Sequence, residues 1–168
     1  MSDRQLPDSQ PHGPRPPSPC RPVPRLRDAT PDDLELSYAI TEAAMRSHVE
    51  QTAGGWDAQA QRKAHLATYT PASHQIIMVA DAAAGLIAAE HFPSYVWLVK
   101  LYLLPGYQGL GIGSALLAEL LAHAHQQRKQ VTLQVLKDNL RAQALYARHG
   151  FKITAQRPQH LFMASLPA

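Results

Sequence analysis

The segment Leu101–Leu117, LYLLPGYQGLGIGSALL, opens as an apolar strand and breaks at Pro105-Gly106. It then passes Gly109, Gly111 and Gly113 and runs directly into an apolar helix, in which Ile112, Leu116 and Leu120 share one face. The first four N–H groups of a helix have no partner within it, and the helix dipole adds partial positive charge at that end. Glycines there let a bulky anion approach the backbone with no Cβ in the way. The segment therefore reads as a phosphate-binding strand–loop–helix.

Spacing narrows the ligand. A dinucleotide fingerprint needs G-x-G-x-x-G, but Ser114 stands where the third glycine belongs. A nucleoside-triphosphate loop needs Gly-Lys-Ser/Thr, and no lysine lies between Lys100 and Lys129. What remains, Gln108-Gly109-Leu110-Gly111-Ile112-Gly113, resembles the pyrophosphate-binding loop of the GNAT family of N-acetyltransferases.

A second block lies downstream. The strand Val131–Leu136 leads to Asp138-Asn139, then to a helix with Tyr146 seven residues after Asn139, and then to Gly150-Phe151. This arrangement is similar to the second motif of the same family, in the correct order after the first. Outward from these blocks, Pro24–Asp28 reads as a short strand. Thr30-Pro31 starts a helix to about His48, and Asp57 caps a second helix to about Thr68. Gln75–Asp81, Gly85–Phe92 and Tyr95–Leu104 read as strands, with Ala82-Ala83-Ala84 as a hairpin loop. The glycine-loop helix spans Gly111–Gln127, Gly150 closes the last helix, and Phe151–Thr154 and His160–Ser165 end the chain as strands. The order β-α-α-β-β-β-α-β-α-β-β predicts an α/β fold: a mixed, mostly antiparallel sheet with helices on both faces. It matches the acyl-CoA N-acyltransferase fold that the resemblance implies.

Composition divides the chain in two. Eight of the fourteen prolines fall within Met1–Pro24, which reads as a disordered tail ahead of a folded domain over residues 25–168. Met1–Arg27 carries five arginines against two aspartates, whereas Asp28–Ala168 balances eleven Lys/Arg against eleven Asp/Glu. The basic pI thus belongs to the tail, and neither a nucleic-acid face nor a membrane span is expected. The one cysteine, Cys20, lies in that tail and suits a reducing cytoplasm. His123 and His125, two apart on a helix, point to different faces, and no metal site is expected.

The resemblance implies a site, residue by residue. Leu101, Tyr102 and Leu103 would offer backbone groups to the pantetheine arm of acetyl-CoA, with a bend near Pro105 leaving the Leu103 N–H and C=O free. Gln108 and the amides of Gly109, Leu110, Gly111, Ile112, Gly113 and Ser114 would hold the pyrophosphate, and Asn139 the cofactor arm. Gln108 stands where many members carry arginine, which removes one cation. Tyr146 would donate to the departing thiolate, because a phenol within reach of sulfur can serve as general acid. The usual positions for a general base fall at Trp97 and Gln134, neither of which accepts a proton. Glu90, in Ala89-Glu90-His91, is the nearest unclaimed acid, followed by Glu50. Trp56 is expected to line the acceptor pocket or cover the core. Lys137 and Arg141 could meet the cofactor's 3′-phosphate but read better as solvated charge. The expected function is acetyl transfer from acetyl-CoA to a primary amine of a small molecule or peptide. A catalytically silent acetyl-CoA-binding module is the alternative. The sequence leaves monomer and homodimer both open.

Overall fold

The structure is a computed structural model that describes residues 22–167. The expected tail, up to residue 21 and with Cys20, lies outside the described residues. Seven strands form one sheet in the order β1-β2-β3-β4-β5-β7-β6: β1 (Pro24–Asp28), β2 (His74–Val79), β3 (Ala82–His91), β4 (Tyr95–Leu103), β5 (Gln130–Leu136), β6 (Lys152–Gln156) and β7 (His160–Ser165). Every neighbouring pair is antiparallel except β4–β5, which is parallel. Four α-helices join them: α1 (Leu34–Ala53), α2 (Ala58–Thr68), α3 (Ile112–Gln126) and α4 (Leu140–Arg148). The order of elements is the one expected. α3 is the crossover between the two parallel strands, which no short hairpin can connect.

Strand alternation builds two cores. Ile76 and Leu86 face α1, packing with Ile40 and Ala29, while their neighbours Ile77 and Ile87 turn to the other face and join Ile112, Leu116, Leu117 and Tyr146 of α3 and α4. Ile40, Ile76, Ile77, Leu86, Ile112, Leu117 and Leu133 are fully buried. Each such side chain contributes about 1.5–3 kcal/mol through removal from water. Gly85 fixes the spacing of β3 and β4, because a Cβ there would lie 2.1 Å from the Tyr102 carbonyl oxygen.

Helix starts follow the side-chain chemistry. Pro31–Asp33 forms a 3₁₀ turn before α1, and the Thr30 amide donates to Asp33 Oδ2 at 2.8 Å. Arg27 reaches from β1 to the same carboxylate with two bonds of 2.8 and 2.9 Å, holding its pKa well below the usual carboxylate range. Asp57 caps α2 by accepting from the Ala60 amide at 3.0 Å. α1 runs five residues past the expected end at His48, to Ala53, where Gly54 at φ 76° stops it in the left-handed region.

One expected turn is corrected. Ala82-Ala83-Ala84 belongs to β3, and the chain reverses at Ala80-Asp81, with Ala80 at φ 51°. The register admits this because Ile77 pairs with Gly85 but Met78 with Ala83, so Ala84 is an extra, bulged residue.

Beneath α1 and α2 lies a buried polar seam. The Ser37 hydroxyl and His65 Nε2 are 3.1 Å apart, and the rings of Tyr38, Tyr69 and His74 continue the contact. Burial, helped by the nearby Lys100 and His74 charges, lowers the His65 pKa from 6.5 to about 4. An unfolded His65 therefore binds a proton that the folded chain refuses, so its contribution to stability is present above pH 6.5 and is lost as pH falls toward 4. The double variant Ser37→Ala/His65→Leu, which removes both partners, should show a flatter fall of Tm across that interval than the parent. Parallel Tm–pH curves would remove His65 from the acid response.

Candidate active site

The site forms where β4 and β5 part. Their parallel pairing runs from Tyr95–Gln130 to Leu98–Leu133 and stops there, although β4 stays paired with β3 as far as Leu103 and β5 with β7 as far as Leu136. The cause is a bulge: Ala88 pairs with Lys100 and Ala89 with Leu98, leaving Val99 without a partner on β3. An extra residue bends a strand and increases its twist, which swings the end of β4 away from β5. The bend thus lies at Val99 and not near Pro105 as expected, because strand pairing sets it and not the proline. Between the parted strands is a cleft of about 870 Å³, a size suited to a small-molecule ligand.

Alternation decides which backbone groups face the opening. The Leu104 amide donates to the Ala84 carbonyl at 2.9 Å, so Lys100, Tyr102 and Leu104 bond toward β3 while Leu101 and Leu103 turn theirs to the cleft. Tyr102 is thereby corrected: it lines the cleft, but its backbone faces β3 and its ring packs beside Leu86 and Ile76. The Leu103 carbonyl is not free either, since it accepts from Gln108 Nε2 at 2.8 Å. Gln108 in turn accepts from Arg141 Nη1 at 2.7 Å through its Oε1.

At one end of the cleft stands the start of α3. Gly109 and Gly111 adopt φ 78° and 81°, which a side chain would strain, and Gly111 occupies the N-cap with no side chain to bond the first amides. The first helical bond is Ala115 N–H to the Gly111 carbonyl at 3.0 Å, so the amides of Ile112, Gly113 and Ser114 precede it. Gln108, Gly109, Gly111, Ile112, Gly113 and Ser114 all line the cleft; Leu110 does not, and is exposed. The Ser114 hydroxyl lies 2.6 Å from His149 Nε2, which ties the start of α3 to the end of α4.

α4 supplies the opposite wall. Asn139 caps it, accepting from the Ala142 amide at 3.1 Å, and also lines the cleft. Tyr146 is two turns further, buried at 8% exposure and packed against Phe151. Burial, with the neighbouring Tyr102, pushes its pKa up to about 12, so the phenol keeps its proton at neutral pH. α1 crosses over the cleft and contributes Ala44, Met45 and His48, with His48 Nδ1 3.3 Å from Asp138 Oδ2. No sequence signal announces this contact between residues 90 apart.

Other expected residues fall elsewhere. Glu90 is not brought to the site: it is exposed on β3 opposite Trp97, outside the cleft lining, with β4 between it and the opening. Trp97 packs on Phe162, and Gln134 lines the cleft. Trp56 lies outside the lining, with the Arg46 guanidinium 5.7 Å from its ring centre. Among the described residues, no group of three or more His, Cys, Asp or Glu is placed to hold a metal, and no helix is long and apolar enough to cross a membrane.

Residues 38–151, which contain the bulge, the glycine loop and Tyr146, match the sequence profile of the Acetyltransferase (GNAT) family. The chain belongs to that family. The GNAT family uses acetyl-CoA as its acetyl donor. An uncharacterized N-acetyltransferase of Mycobacterium tuberculosis is 49% identical over 63 residues, a match spanning 37% of this chain and 40% of that protein. Solved structures share the fold. The PaiA N-acetyltransferase of Thermoplasma acidophilum, in complex with coenzyme A, superposes with TM-score 0.66 at 20% identity, over 86% of this chain and 99% of that one. The ribosomal-protein-S18-alanine N-acetyltransferase of Escherichia coli gives TM-score 0.65 at 19% identity, over 87% and 95%. The fold and family expected from the two motifs are therefore as observed.

Proposed function

We propose that this GNAT chain transfers an acetyl group from acetyl-CoA to a primary amine by direct attack within a ternary complex. The observation that carries this reading is the unpaired wedge between β4 and β5, which runs from the uncapped start of α3 to Tyr146. A pantetheine arm fits it as a pseudo-strand, bonding the Leu101 and Leu103 backbone as an added strand bonds a sheet edge. For this the Gln108 amide must yield the Leu103 carbonyl. The diphosphate would rest on the amides from Gly109 to Ser114, and Asn139 would bond the arm from α4.

In the reaction the amine nitrogen attacks the thioester carbonyl, the C–N bond forms, and the C–S bond breaks with its electron pair leaving on sulfur. A phenol with a pKa of about 12 is a far weaker acid than a thiol near 8.5, so Tyr146 acts by hydrogen-bonding the departing sulfur. With Glu90 outside the cleft and Trp97 and Gln134 at the usual base positions, no side chain is assigned as base. The amine attacks in its neutral form, and the proton that nitrogen sheds as the C–N bond forms passes through water to the departing thiolate, which leaves as the thiol. The acceptor is an amine of a small molecule or a peptide; the Escherichia coli neighbour, by its name, acts on an alanine of ribosomal protein S18. A reducing cytoplasm is proposed on the single cysteine. The same vacant base positions favour a second reading, a chain that binds acetyl-CoA without transferring it. Release of free thiol across a panel of amines separates the two.

Tyr146→Phe should lower kcat by about tenfold to a hundredfold while leaving CoA affinity within about twofold. An unchanged kcat at saturating substrates would remove Tyr146 from the chemistry. Glu90→Gln should keep kcat and its pH profile; loss of the acid limb of that profile would reinstate Glu90 as the base.

A further inference from the structure

We propose that Arg141 supplies, from the first turn of α4, the cation that the glycine loop lacks at Gln108, and that it binds the diphosphate of the cofactor. This rests on the reading of the cleft as an acetyl-CoA site. Arg141 lies 33 residues from Gln108 in sequence, yet its Nη1 donates to Gln108 Oε1 at 2.7 Å. Its Nη2 stands 3.5 Å from where a Cβ on Gly109 would be. The guanidinium, on an exposed residue, is thus tied to the loop through Gln108 and lies beside Gly109. Only one of its five N–H groups is spent on Gln108, and among the described residues no carboxylate pairs with it.

The setting favours an anion. The guanidinium lies beside Gly109, in the loop that leads into the start of α3, where the helix dipole places partial positive charge and no side chain caps the end. An arginine carries its planar fork preorganised for phosphate oxygens, which a lysine does not. Gln108 is then the positioning residue: it grips the Leu103 carbonyl at 2.8 Å with one end and Arg141 with the other. The pairing also gives a structural reason for glutamine at this position, since an arginine at 108 would repel the guanidinium that α4 brings to the same place.

The test is calorimetric titration of the full chain with CoA, 3′-dephospho-CoA and pantetheine, for wild type, Arg141→Gln and the double variant Gln108→Arg/Arg141→Gln. Arg141→Gln should weaken CoA and dephospho-CoA alike by about tenfold or more, the scale of a charge-assisted hydrogen bond, and leave pantetheine unaffected. The double variant should recover most of that loss. A loss with CoA but not with dephospho-CoA would move the contact to the 3′-phosphate and overturn the proposal. An equal loss with pantetheine would overturn it by making Arg141 a prop for the loop. A wild-type chain that binds CoA no more tightly than Arg141→Gln defeats this inference alone, whereas a wild-type chain that binds none of the three defeats the cofactor reading as well.

Discussion

Val99 is the residue on which the site depends. Inserted between two paired positions of β4, it ends the parallel ladder with β5 after Leu98–Leu133, while both strands keep their outer partners. A sheet interrupted at its centre is costly, because backbone N–H and C=O groups turned inward need partners from somewhere. The gap therefore behaves as an incomplete strand position. In the chain alone, the Gln108 side chain answers one of these groups by bonding the Leu103 carbonyl. On the proposed reading, a ligand carrying amides in an extended arm would answer the rest.

The remainder of the fold holds that gap open and directs what enters it. Gly85 lets β3 run close against β4 beside the bend, where a Cβ would meet the Tyr102 carbonyl oxygen. α3 crosses between the parallel strands and presents its uncapped amides at one end of the cleft, and α4 places Asn139 and Tyr146 along its wall. The bond between Ser114 and His149 fixes the two helices against each other. The cleft thus passes from a polar, positive end suited to phosphate to an apolar interior where a protonated phenol stays un-ionised. That gradient matches a ligand with a charged head and a reactive thioester tail.

The sequence revealed what is local. Gly109 and Gly111 are required by their left-handed φ, and Asn139 and Asp57 cap helices where short polar side chains precede apolar periodicity. What was hidden depends on pairing between distant segments. The bulges at Ala84 and Val99 are properties of register, so the hairpin was expected two residues late and the bend six residues late. Arg141 read as solvated charge because nothing in its neighbourhood names Gln108, and the His48–Asp138 contact joins residues 90 apart. Glu90 looked available because adjacent sequence gives no hint that β4 would stand between it and the cleft.

The central claim is that the Val99-bent strand and the start of α3 together receive one extended ligand. Amide hydrogen exchange of the purified chain, with and without CoA, tests it most directly. Slowed exchange at Leu101 and Leu103 together with the amides from Gly111 to Ser114, and little change on β1 or β6, is the predicted result. Unchanged exchange at these amides in the presence of saturating CoA, or protection confined to another face, would contradict the account.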